Sequence, residues 1–166
     1  MREPGDEAFE TYKAEVREQS LSEIENIRIV YSALNGAGIN TLPEVLEECG
    51  AEIIYNEVQC KPDPDFTTCP YPNPEKTEVF ETSLPLAKEN KADLIILSDP
   101  DADRVGIEVL HRGEYVHLSG NEVGALLTDY LMKTRHVENG VIVKSIVSTN
   151  LAKKIVNFYG GACKDV

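Results

Sequence analysis

The stretch LIILSDPDADRVGIEVL, residues 94–110, decides how the rest of the chain is read. A short apolar run ends at Ser98. Asp99, Asp101 and Asp103 then follow at alternate positions, and Arg104 closes the group. Like charges at this spacing repel, and carboxylates are costly to take out of water. The apolar run reads as a buried strand, so the aspartates fall just past its carboxyl end, where open α/β sheets bind ligands. Residues i, i+2 and i+4 of an extended segment point to one side, and the three carboxylates are therefore expected to converge. Three hard oxygen donors suit Mg²⁺, with Mn²⁺ as its substitute, and the cation would offset the repulsion. The plain alternative is a solvated acidic turn.

Spacing tests three other site types. An EF-hand loop starting at Asp99 wants glycine at its sixth position and glutamate at its twelfth; Arg104 and Leu110 stand there. A haloacid-dehalogenase-type phosphatase places DxDx[T/V] after an apolar strand. Asp99-Pro100-Asp101 followed by Ala102 and Asp103 fits that only in part. A dinucleotide fingerprint in GAGINT, residues 36–41, fails at its third glycine, which is Thr41.

Outward from this stretch, strand and helix patterns alternate. Residues 6–20 carry Phe9, Tyr12 and Val16 at helical spacing. NIRIVYSAL (26–34) reads as a buried strand entering a turn at NGAG. TLPEVLEECG (41–50) reads as a helix, with Thr41 and Glu44 as a capping box, Pro43 in the first turn and Gly50 as the stop. AEIIY (51–55) is a second strand. Residues 56–74 hold five prolines and form a long ordered loop. A helix across 75–90, kinked or shortened by Pro85, precedes the strand DLIILS. VGIEVL, HRGE and YVHL form a hairpin. From Ser119, a second capping box with Glu122 opens a long helix; GVIVKSIV, TNLAKKIVNFYGG and ACKDV follow as strand, helix and strand.

This order predicts a layered α/β/α domain with a mostly parallel or mixed sheet, followed by the start of a second similar domain. The expected boundaries are a linker helix at 1–20, a domain at 21–118, and an interrupted one at 119–166.

Composition supports a soluble folded chain. Of 166 residues, 42% are hydrophobic, enough for a core. No apolar run is long enough to span a membrane, and the polar, acidic N-terminus does not look like a targeting signal. A cytoplasmic protein is expected. The net charge of −13 argues against a nucleic-acid surface. Cys49, Cys60, Cys69 and Cys163 have neither metal-site nor disulfide spacing and are expected reduced.

SDPDADRVGIEV resembles the metal-binding loop of the α-D-phosphohexomutases, the phosphoglucomutase/phosphomannomutase family. Pro100 resembles the branch of bacterial α-phosphoglucomutases and phosphopentomutase-like enzymes. Other segments follow in the family's order: IVYSALNGAG, with Ala33 and Asn35 where the family usually has proline and histidine; YPNPE (71–75); and LSGNEVGALLTDYL. The resemblance spans about residues 20–160.

It implies a four-domain isomerase that moves a phosphoryl group between sugar positions through a phosphoserine and a sugar bisphosphate, which serves as intermediate and activator. Its implied substrates are hexose 1- and 6-phosphates or pentose 1- and 5-phosphates. It further implies that Asp99, Asp101 and Asp103 hold Mg²⁺, and that Asp103 and Arg104 line the bisphosphate site. A salt bridge to a neighbouring aspartate is the structural alternative for Arg104. The family's nucleophile motif Thr-Ala-Ser-His-Asn-Pro, its sugar loop Gly-Glu-x-Ser-Gly-His and its phosphate loop Ser-Gly-Thr-Glu-Pro do not occur in these residues. Ser98, Ser119 and Ser148 read as strand-end or cap residues. The 166 residues are therefore expected to hold no catalytic residue and to show no turnover alone. The other readings are a Mg²⁺-dependent phosphatase using Asp99 or Asp101 as nucleophile, and a non-catalytic α/β binding module.

Lesser candidates have ordinary explanations. The NGAG glycines are read as serving a tight turn rather than the site. Asn73 and Glu75 are either domain bridges or turn residues. His111 and His117 are expected at the surface, and His136 near a helix end.

Overall fold

The computed structural model describes residues 5–22, 25–135 and 139–166. It divides into two units, one through His117 and one from Leu118. His136, expected near a helix end, lies outside the described residues.

The first unit is built on a five-stranded mixed sheet in the order β2-β1-β3-β4-β5. The strands are β1 (Arg28–Ser32), β2 (Glu52–Tyr55), β3 (Leu94–Ser98), β4 (Val105–His111) and β5 (Glu114–Leu118). Strand β1 runs parallel to both β2 and β3, with Val30 opposite Ile54 and Ile95. Strand β4 returns antiparallel to β3, pairing Ser98 with Val105. Arg112 and Gly113 both have positive φ, 52° and 89°, the two-residue turn whose twist matches a hairpin.

The sheet is covered on both faces. Val30, Ile95 and Leu97 pack with Val79, Phe80 and Ala87 into one apolar cluster. Ala87 belongs to α3 (Ser83–Asn90). On the other face Tyr31 is fully buried and hydrogen-bonds Ser98. Strand β1 is enclosed on both sides, which explains its near-continuous apolar sequence.

Local structure departs from the expected elements in three places. The helix expected over 75–90 is instead a short 3₁₀ turn (Thr77–Phe80) followed by α3. Pro85 lies in α3's first turn, where a missing N–H deprives no carbonyl. The capping box at Thr41 does not form: no cap bond reaches its side chain. Glu44 instead accepts from the buried Lys13 at 2.6 Å, tying α1 (Asp6–Arg17) to α2 (Leu42–Glu48). Gly50, at φ 101°, does provide the expected stop. Finally, His117 is not a plain surface residue. Its ring stands edge-on to Phe80, and Nδ1 is shielded.

The second unit has a two-stranded parallel sheet, β6 (Val141–Lys144) beside β7 (Ala162–Asp165). Helices α4 (Gly120–Thr134) and α5 (Asn150–Phe158) complete it. Here the capping box forms as expected: Ser119 accepts from the Glu122 N–H, and Glu122 returns to the Ser119 N–H. Ser148 is a turn residue beyond β6, its hydroxyl 2.9 Å from that of Ser145. Among the described residues, no helix is long and apolar enough to cross a membrane.

Candidate metal centre

The site grows from the end of β3. Apolar side chains hold this strand in the sheet up to Ser98, and β4 must start at Val105 to keep the register. Residues 99–104 therefore close a short loop between antiparallel neighbours. The Ala102 N–H donates to the Asp99 carbonyl at 3.0 Å, and Ala102 takes a left-handed conformation, φ 59°. The Arg104 N–H donates to Asp99 Oδ1 at 2.9 Å.

The loop brings one oxygen from each of Asp99, Asp101 and Asp103 within 4.8 Å of one another. The carboxylates do converge, but not because the segment is extended. Residues 100–103 are a turn, and a left-handed residue folds alternate side chains back toward one point. Asp99 is buried, whereas Asp101 and Asp103 face solvent.

Arg104 lies alongside. Its Nε is 3.3 Å from Asp99 Oδ2 and 3.5 Å from Asp103 Oδ1. Burial raises the Asp99 pKa above the ordinary aspartate value, as do the carboxylates of Asp101 and Asp103, while the Arg104 N–H opposes them. Three acids whose charges disfavour one another, two of them open to solvent, are a donor set suited to a hard divalent cation. The residues present fit Mg²⁺.

Two glycines read as turn residues prove to be contact residues. The turn after β1 places its positive φ on Leu34 (45°) and Asn35 (63°), while Gly36 has φ −103°. A methyl group on Gly36 would overlap the Pro100 backbone. One on Gly38 would meet the Ser98 and Tyr31 hydroxyls. Glycine is used here for close approach, and its sequence signal is a Gly-x-Gly after a strand adjacent to β3. By contrast Asn73 makes ordinary turn chemistry, its side chain accepting the Glu75 N–H at 3.0 Å.

A family model described as phosphoglucomutase/phosphomannomutase, alpha/beta/alpha domain II, matches residues 7–112, enclosing both the sheet and the aspartate loop. The chain belongs to this family. Among phosphoglucomutase/phosphomannomutase relatives, a phosphomannomutase of Mycoplasmoides pirum is 37% identical over 155 residues, which are 92% of this chain and 28% of that protein. A phosphoglucomutase of Staphylococcus aureus (strain bovine RF122 / ET3-1) is 35% identical over 144 residues, 85% of this chain and 26% of the relative. The chain thus spans about a quarter of the length of the curated relatives it matches. A solved phosphoglucomutase/phosphomannomutase family protein from Burkholderia thailandensis has the same fold, with a TM-score of 0.80 over 95% of this chain and 32% of that one. Its identity of 16% makes this a statement about fold alone.

Proposed function

We propose that this chain is the metal-loop portion of a phosphosugar mutase, with Asp99, Asp101 and Asp103 holding Mg²⁺. The observation that carries the reading is the convergence of three carboxylates at the end of β3, inside the region matched by the family. In this reading residues 21–118 form the metal-loop domain, residues 119–166 open the next, and residues 1–20 are a linker helix. The whole protein interconverts sugar 1- and 6-phosphates, or pentose 1- and 5-phosphates, through a phosphoserine and a sugar bisphosphate. The phosphoserine, sugar-selecting and distal phosphate-binding segments belong to other parts of that protein, so residues 1–166 alone give no turnover.

The bound cation supplies Lewis acidity toward a phosphoryl oxygen. Asp99 anchors the set, because its buried carboxylate is fixed by the Arg104 N–H. Asp101 and Asp103 supply the solvent-facing donors. Arg104 offsets part of the acids' charge in the free chain through Asp99 and Asp103, and its exposed guanidinium then serves as a fixed positive charge for the phosphate of a bisphosphate, whose site it lines with Asp103.

The test is a Mn²⁺ titration of isotopically labelled protein, read as broadening of backbone amides. Broadening centred on residues 98–105, and lost in Asp101→Asn, is expected. Broadening spread over acidic helices and unchanged in that variant would refute a preformed metal loop. Hydrolysis of p-nitrophenyl phosphate would favour a phosphatase instead, with Asp99 or Asp101 as nucleophile.

A further inference from the structure

Three carboxylates that repel one another do not stay together unaided. Within the loop, hydrogen bonds and ion pairs link Asp99, Ala102, Asp103 and Arg104. Restraint from outside comes from the segment after β1. The Ala37 N–H donates to the Pro100 carbonyl at 2.9 Å. Gly36 lies directly against the Pro100 backbone. Two residues before Pro100, at the end of β3, the Ser98 hydroxyl is 2.7 Å from that of Tyr31, and Gly38 packs on both. Pro100 has a fixed φ, so it acts as a rigid handle: holding its backbone holds the residues on either side, Asp99 and Asp101.

We propose that Gly36 and Ala37 are positioning residues for the metal loop, setting the convergence of Asp99, Asp101 and Asp103 through Pro100 without offering a ligand atom of their own. This rests on the metal-loop reading given above. Mg²⁺ demands near-octahedral geometry, and a site displaced by about half an ångström from its productive geometry loses function. A methyl group at Gly36 must displace Pro100, because the atoms it meets are backbone and cannot rotate away.

Ala37→Pro presses on Pro100 from a second point. Ala37 begins the short 3₁₀ segment Ala37–Asn40, and Gly36 before it is extended, at ψ −169°. Both conformations accept proline at position 37, so the strain is confined to the contact with Pro100: the substitution removes the N–H and puts the ring Cδ against the Pro100 carbonyl it served. Tyr115→Phe is the control. It removes a hydroxyl that donates to the Ala87 and Ala92 carbonyls, near the opposite end of β3 from the aspartates, and weakens the same unit without touching the loop.

The experiment titrates Mn²⁺ into labelled wild type, Gly36→Ala, Ala37→Pro and Tyr115→Phe, all as the full chain, and records thermal stability alongside. The midpoint for broadening at residues 98–105 is expected to rise at least ten-fold in Gly36→Ala and Ala37→Pro, and to stay at the wild-type value in Tyr115→Phe. If Gly36→Ala does not fold, Ala37→Pro decides alone. Wild-type midpoints in the folded positioning variants would overturn the proposal and leave the metal loop standing. A midpoint that tracks thermal stability in every variant, Tyr115→Phe included, would also overturn it. Absence of broadening at residues 98–105 in the wild type would remove the metal-loop reading itself, and the positioning role with it.

Discussion

Asp99 and Glu108 are both acids withdrawn from water, one just after β3 and one in the middle of β4, at 2% and 7% exposure. Their carboxyl groups are treated differently. Both Asp99 oxygens are engaged, Oδ1 by the Arg104 N–H and Oδ2 by the Arg104 guanidinium, and two further carboxylates crowd the same point. Glu108 lies beside Ile95 on one strand and, through the two-residue turn at Arg112–Gly113, opposite His117 on the other. Its Oε2 and the His117 Nδ1 have no hydrogen-bond partner among the described residues. Both acids have raised pKa values, and burial is the leading cause of each. A raised carboxylate pKa therefore does not by itself mark a site. What distinguishes Asp99 is the company of Asp101 and Asp103, together with a second loop that holds them in place.

The largest expected difference is in the response to metal. A ligand that binds only the folded state stabilises it by RT ln(1 + [L]/Kd), about 2.7 kcal/mol at a hundred-fold excess over Kd. Unfolding of the first unit, followed through amide signals of β3 and β4, should shift upward with Mg²⁺ in the wild type and in Glu108→Gln alike. Asp101→Asn should lose the shift. In a chelator, Asp101→Asn should be at least as stable as the wild type, because one of three repelling charges has gone. An equal Mg²⁺ shift in wild type and Asp101→Asn would place the ion elsewhere and end the contrast between the two acids.

Next in size is the cost of removing the buried anchor. Asp99→Ala leaves the Arg104 N–H without its acceptor, and hydrogen bonds to charged groups contribute about 1.5–3 kcal/mol each. Relief of repulsion offsets part of this, so a loss of about 2 kcal/mol is expected in urea unfolding of the first unit. Glu108→Gln, at a carboxylate whose Oε2 has no hydrogen-bond partner among the described residues, should cost much less at neutral pH. Equal costs would mean that Arg104 contributes nothing to holding Asp99.

How much of this was readable beforehand divides along a physical line. The mixed α/β architecture follows from apolar periodicity, because β1 and β3 are buried on both faces and their sequences show it. The capping signature shows where local reading stops. Ser119 and Glu122 form their box, each side chain bonded to the other residue's backbone N–H. Thr41 and Glu44 carry the same signature, yet a buried lysine from another helix, which also pairs with Glu10, takes Glu44, since a buried ammonium draws in anions more strongly than a helix-end N–H does. The aspartate cluster was legible as three donors at alternate positions, but its turn geometry was not, since the left-handed Ala102 carries no glycine or asparagine signal. Gly36 and Gly38 are visible as glycines, and Gly36 does close the turn after β1 with its N–H on the Ala33 carbonyl, but their close packing on other residues is not visible. That packing depends on Pro100 for Gly36 and on Ser98 and Tyr31 for Gly38, and Ser98 and Pro100 are distant in sequence and adjacent only because β1 pairs with β3.

The smallest effect concerns the sign of a pH dependence. The folded state holds the Glu108 proton more tightly than the unfolded chain does, because burial disfavours its charge, and His117 only partly opposes this. The protonated acid therefore contributes its full stability below the ordinary glutamate value of 4.5, and that contribution is lost as pH rises through the higher folded value. Asp63 and Asp165 act in the opposite direction, since side-chain hydrogen bonds from Thr67 and Lys144 lower their pKa values and their stabilisation disappears in acid. The total profile mixes these signs, so the informative quantity is the stability of Glu108→Gln minus that of wild type. This difference should grow more favourable to the variant from about pH 4.5 upward and then level off once Glu108 is ionised. A flat difference would mean that the folded protein supplies Glu108 with a partner for its charge. Glu108 would then resemble Asp99, with convergence rather than burial as the one remaining distinction between them.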